Sequence, residues 1–172
     1  MLSRRRGISP IIAYVLLVSF VLVMVPIVYQ GLKSYVPQES LECPEGISVF
    51  VQDYSCEENE DGTYNLTLEI KNNGRFDVGG FLIHAGDGSS EVASEDLSSR
   101  IIEGGKILGG MVVFASGDDN PLGPGNMRKT VFNINQEIAK VDILPMRFQE
   151  KDGKKKIVIC SNAGLKEDVA CR

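Results

Sequence analysis

The sequence predicts an α+β protein in which one long apolar helix precedes an all-β sandwich of about seven strands. Three observations carry this reading. Residues 8–29, ISPIIAYVLLVSFVLVMVPIVY, contain no charge. From Ile47 onward the hydrophobic period falls to two, the period of a strand with one face buried. Eighteen glycines and seven prolines, with many Asn, Asp and Ser clusters, break the rest of the 172 residues into short segments. The organisation that follows is a basic leader over residues 1–7, a helix over 8–36 and a β domain over 37–172.

The helix comes first. At 1.5 Å per residue, an uncharged run of this length spans a hydrocarbon core of about 30 Å. A buried helix of a globular domain seldom runs so far without a polar face. Pro10 stands near the start, where a missing N–H costs nothing. Pro26 lies inside and is expected to bend or locally unwind the helix. The helix should continue through Gln30 to Tyr35 and stop before Pro37. Arg4, Arg5 and Arg6 flank its start and hold that end on the cytoplasmic side, which puts everything after the helix outside. The outer part carries all 23 acids and 15 of the 18 bases, a balance of −8. That charge argues against a nucleic-acid partner, which selects basic surfaces.

The strands follow. Ile47, Val49 and Val51 alternate with Ser48 and Phe50. Beyond the acidic loop 57–62, Tyr64, Leu66, Leu68 and Ile70 share one face, and Asn65, Thr67, Glu69 and Lys71 the other. Asn72-Asn73-Gly74 is a turn signal. A strand over 76–85 contains Gly79-Gly80, read as a bulge or bend. Residues 86–105 read as irregular, with a short helix starting near Ser94. Further strands are predicted over 106–114, 128–134, 139–148 and 155–160, the last two joined by a Lys151-Asp152-Gly153-Lys154 hairpin turn. Short strands at this even spacing favour a sandwich.

Residues that could carry chemistry are few. His84, the one histidine, alternates with Ile83 on a strand and has no sequence neighbours that complete a site. No Ser-His-Asp order, phosphate-cradling glycine loop or Cys-His pair occurs, so no active site, metal or cofactor is expected. The acidic runs 57–61 and 118–120 depart from the EF-hand pattern and read as solvated loops. Asn65-Leu66-Thr67 is an outward-facing glycosylation sequon.

Cys43, Cys56, Cys160 and Cys171 all lie in the outer part, where disulfides persist. Four cysteines allow three pairings. If the first and last strands run side by side, Cys56 meets Cys160, and a returning tail brings Cys171 to Cys43. The local alternative pairs Cys43 with Cys56 and Cys160 with Cys171.

The leader Arg5-Arg6-Gly7-Ile8-Ser9-Pro10 and the apolar run behind it resemble the class III signal peptide and N-terminal helix of archaeal type IV pilins and archaellins. Pro26 resembles the mid-helix proline of many pilins. The resemblance covers about the first 36 residues. It implies that a membrane prepilin peptidase cuts between Gly7 and Ile8. It also implies that the retained helix, with Ile11, Ile12, Val15, Leu16 and Pro26, first anchors the protein and then packs against identical or related subunits in a surface filament. Bacterial pilins usually carry glutamate at the fifth mature position. Here that position is Ile12, which leaves the register between subunits unexplained. The stretches EIKNNGRFDVGGFLI and LGPGNMRKTVFNI resemble immunoglobulin-like adhesion modules of prokaryotic surfaces, implying a head displayed for adhesion. The alternative is a solitary, uncleaved membrane-anchored binding module.

Overall fold

The computed structural model describes residues 10–35, 41–89 and 93–171. By contact the chain divides into two compact units, 1–40 and 41–172. The boundary expected at 36/37 falls among residues outside those described.

In the first unit, α1 is one helix over Pro10–Tyr35. It is unbroken at Pro26, so the expected unwinding does not occur. One missing N–H leaves a single carbonyl short of a partner in 26 residues, and the turns on either side hold the helix together.

The second unit is a sandwich of two sheets. Its longer strands are β1 (Val49–Glu58), β2 (Tyr64–Asn72), β3 (Gly80–Gly86), β8 (Met127–Ile134), β9 (Ile138–Lys151), β10 (Lys154–Ile159) and β11 (Leu165–Cys171). Four strands of two or three residues lie between them: β4 (Glu95–Asp96), β5 (Ile101–Glu103), β6 (Lys106–Leu108) and β7 (Met111–Val113). One sheet has the order β1-β2-β8-β5 and the other β10-β9-β3-β7-β6, with β4 on β3 and β11 on β9. The expected short helix near Ser94 is instead strand β4 and then a single 3-10 turn, Ser98–Arg100. The strand expected over 106–114 is the β6–β7 hairpin, because Gly109 and Gly110 both take positive φ there.

The predicted alternation places the core. Leu66, Leu68 and Ile70 from β2, with Phe132 and Ile134 from β8, face Phe81, Ile83, Val141 and Ile143 of the opposite sheet. Phe81 lies edge-on to Phe132 with ring centroids 6.4 Å apart. A smaller cluster of Val113, Met146 and Phe148 forms apart from this core. The loop after β7 is fastened to Phe148 at Asn120. The Asn120 amide donates to the Phe148 carbonyl at 2.9 Å and accepts from its N–H at 2.7 Å. That side chain acts as one more rung on the edge of β9.

Two glycines are needed for close approach. A Cβ on Gly80 would collide with the Val112 carbonyl, so Gly80 admits β7 beside β3, while a Cβ on Gly79 would meet the Asn120 side chain. Gly104 has φ +90° and its Cβ would collide with the Lys129 carbonyl. The turn after β2 depends on Asn72, which is fully buried. Its amide donates to the carbonyls of Phe76 and Leu122, and its oxygen accepts from Gly74 N–H. The β9–β10 turn has positive φ at both Asp152 and Gly153, the primed hairpin turn its sequence predicts.

Phe132→Ala is expected to destabilise the head by about 3–5 kcal/mol, read by denaturant unfolding of the non-reduced protein. Gly104→Ala should also destabilise it, although alanine adds apolar volume and removes backbone freedom.

Candidate functional site: an uncovered helix and a disulfide-tied head

Residues 10–32 form a span long and apolar enough to cross a membrane, and none of it is buried. Ile11, Ile12, Val15 and Leu16 are 55–75% exposed. The exposure is not confined to one stripe: 17 large apolar side chains between Ile11 and Leu32 are uncovered. Within this span Ser19 returns its hydroxyl to the Val15 carbonyl at 2.8 Å. Arg5, Arg6, Gly7 and Ile8, the residues of the expected cleavage, lie outside the described residues.

All four cysteines are bonded, but in neither expected arrangement. The pairs are Cys43–Cys160 and Cys56–Cys171, with Cα atoms 5.2 and 5.4 Å apart. The favoured Cys56–Cys160 with Cys43–Cys171 and the local alternative are both overturned. The physical reason is strand β11. The tail does not turn back after Cys160. It continues along β9, with Leu165 opposite Ile143 and Cys171 opposite Ile138. β10 and β11 therefore lie end to end on the same edge of β9. Cys160 marks their junction and Cys171 the far end. The chain from Cys43 to Cys56 runs past them in the same direction, so first meets third and second meets fourth. Cys56 belongs to β1 and Cys171 to β11, so this bond ties one sheet to the other. The missed strand did leave a signal: within β11, Val169 and Cys171 are buried while Lys166, Asp168 and Ala170 are exposed.

Asn65 lies on the outward face of β2, as its alternation predicts, but it is half-buried and engaged. Its amide nitrogen donates to Asn59 Oδ1 at 2.9 Å, and its oxygen accepts from Asn133 at 3.1 Å. The Thr63 hydroxyl accepts from both Asn59 and Asn133. The sequon nitrogen is thus a member of a ladder that holds the β1–β2 turn to β8. His84 lies in register between Asp142 of β9 and Asp96 of β4. Asp96 is occupied by the N–H and hydroxyl of Ser98. Among the described residues no cluster of His, Cys, Asp and Glu could hold a metal ion.

Three loop carboxylates have partners in the structure. Asp61 accepts from the Thr63 hydroxyl and N–H, and these bonds, the hydroxyl foremost, hold its pKa below the ordinary 3.8. Asp87 is lowered in the same way by Ser89. Asp119 pairs with Lys155 at 2.9 Å, and the bond from that carboxylate raises the lysine pKa. A concavity of about 420 Å³ is lined by Asp87, Ser89, Ser94, Glu95, Gln136 and Glu137, with Ala85 and Gly86. Among the described residues its polar side chains are hydroxyls, carboxylates and one amide. Comparison with known families, characterised proteins and solved structures finds no match for this chain.

The most prominent features among the described residues are the uncovered span and the crossed bonds. Non-reducing peptide mapping is expected to recover Cys43 joined to Cys160 and Cys56 joined to Cys171. Replacing either pair with serine should destabilise the head by about 2–5 kcal/mol, read as a lower denaturant midpoint. Asp61 is lowered, so its contribution is present above pH 3.8 and is lost as pH falls through the folded value. The Thr63 amide resonance should accordingly titrate with a midpoint below 3.8, and Asp61→Asn should abolish that titration.

Proposed function

We propose that this protein is a structural subunit of an archaeal type IV pilus-like surface filament, with the helix as membrane anchor and assembly element and the β sandwich as exposed head. The observation that carries the reading is the uncovered span of α1. Seventeen large apolar side chains stand in solvent. At about 1.5–3 kcal/mol for each fully exposed side chain, and with these 38–75% exposed, leaving them in water costs roughly 15–30 kcal/mol, more than the ~5–15 kcal/mol that holds a domain folded. The helix therefore requires an apolar host. A bilayer is one, and a bundle of like helices is another.

The leader explains how one helix could use both. While Arg4, Arg5 and Arg6 are attached, drawing the helix out of the bilayer carries cations through its centre, at about 2.5–3.5 kcal/mol for each. A cut between Gly7 and Ile8 replaces three guanidinium groups by one α-amino group. The span then exchanges lipid for equally apolar neighbours, and close packing of side chains decides the outcome. The prepilin peptidase is the partner at the leader, and other subunits are the partners along the helix. The sandwich supports its half of the reading by having its own core and covalent ties.

Mass spectrometry of the protein from cell envelopes tests this. Ile8 at the mature N-terminus is the expected result, and Gly7→Leu should leave residues 1–7 in place and abolish surface fibres. An intact leader on wild-type protein that remains a detergent-bound monomer would overturn the filament and leave a solitary anchored surface module.

A further inference from the structure

Residues 43–56 and 160–171, closed by Cys43–Cys160 and Cys56–Cys171, form one covalent ring. Cys43 lies eight residues beyond Tyr35, the last residue of α1. The 103 residues from 57 to 159, which hold most of both sheets, hang from this ring at both ends. From any residue between 44 and 170, two separate covalent routes lead back to Cys43 and so to the helix. The local pairing would leave a single route across residues 57–159.

We propose that the crossed disulfides serve to retain the head, so that one backbone cut anywhere between Cys43 and Cys171 sheds nothing and traction on the head is shared by two chains. This rests on the reading above that the head is displayed outside the membrane, where proteases and shear act. The geometry gives the magnitudes. Pulled at Cys171, the shortest route to Cys43 crosses one disulfide and 11 residues (160 to 171). At about 3.5 Å per residue the head yields about 40 Å. With both bonds reduced, 128 residues (43 to 171) separate the same points, and the yield becomes about 450 Å. Leu108, midway along the hanging segment, is 52 residues from Cys56 and 52 from Cys160. Gripped there, both arms must stretch together, and neither passes about 180 Å.

The test uses the full chain in its membrane, with a C-terminal tag and a site-specific protease sequence placed at Gly117-Asp118, an exposed turn. After complete cutting, a non-reducing denaturing gel should show one tagged band at full mass, and reductant should divide it in two. The tag should stay with washed membranes until reductant is added. Variants keeping one bridge, C43S/C160S or C56S/C171S, should still retain the tag after this cut, and the variant with all four serines should shed it. Should a serine variant fail to fold, reduction of the cut wild-type protein gives the same comparison. Two pieces on the non-reducing gel would overturn the proposal. So would a yield of several hundred ångströms when the unreduced protein is stretched between its helix and the tag. If the uncut protein were found in neither the membrane fraction nor pelleted surface fibres, the display reading would fail instead, and the gel would still report the covalent routes.

Discussion

An apolar helix with nothing packed over it constrains the rest of this molecule. Every other element can be accounted for within its own unit, but residues 10–32 cannot be. The transfer cost of that surface exceeds the net stability of a small domain. On the reading proposed above, the helix is stable only in a medium that the chain itself does not supply. This separates two design problems. The helix needs only length and apolarity, and any sequence of that kind meets the need. The head must fold in water, so it needs a specific core, satisfied polar groups and correct turns.

The head meets those needs mostly through side chains that stand in for backbone. Asn72, fully buried, satisfies two carbonyls and one N–H where β2 gives way to the following turn. Asn120 extends the edge of β9 by two bonds. The Arg128 guanidinium reaches the carbonyls of Gly104 and Phe114 while stacking on the Phe114 ring. Each joins segments far apart in sequence, and each would leave buried polar groups unpaired if removed. The disulfides work at a longer range still. They bind the beginning of the head to its end, where strand pairing alone leaves two edges facing each other.

How much of this was legible follows from the range of each interaction. The helix and all the longer strands but β11 were visible because period and charge are local properties: residues 8–29 lack charge, and β2 alternates cleanly. The β9–β10 turn was legible because Asp152-Gly153 carries its own conformational preference. The cysteine pairing was not, because it depends on whether the tail after Cys160 turns back or runs on, and that is decided by the free edge of β9 beside Ile143 and Val141. No local pattern reports a free edge 20 residues upstream. The roles of Asn72 and Asn120 were hidden for the same reason. In sequence both are turn residues, and only the fold brings Phe76, Leu122 and Phe148 to them. Gly80 read as a bulge because close approach and local irregularity favour the same residue.

The composition of the helix bears on where recognition resides in a filament of the kind proposed. Helices that choose partners and axial register inside an apolar medium do so with polar side chains or small-residue contacts. Here the fifth mature position is Ile12, and the Ser19 hydroxyl is spent on its own backbone. The remaining polar side chains described in the span, on Tyr14, Tyr29 and Gln30, stand toward its two ends, where aromatic and polar groups prefer a lipid–water boundary. Between Val15 and Val28, one such helix meets another through apolar packing, with no hydrogen bond to fix one register over the next. Non-directional burial supplies affinity without register. Register must then be set where directional groups are dense, on the head, and a head that sets register must hold its shape under load. The double covalent connection between Cys43 and Cys171 ties the start of the head to its end.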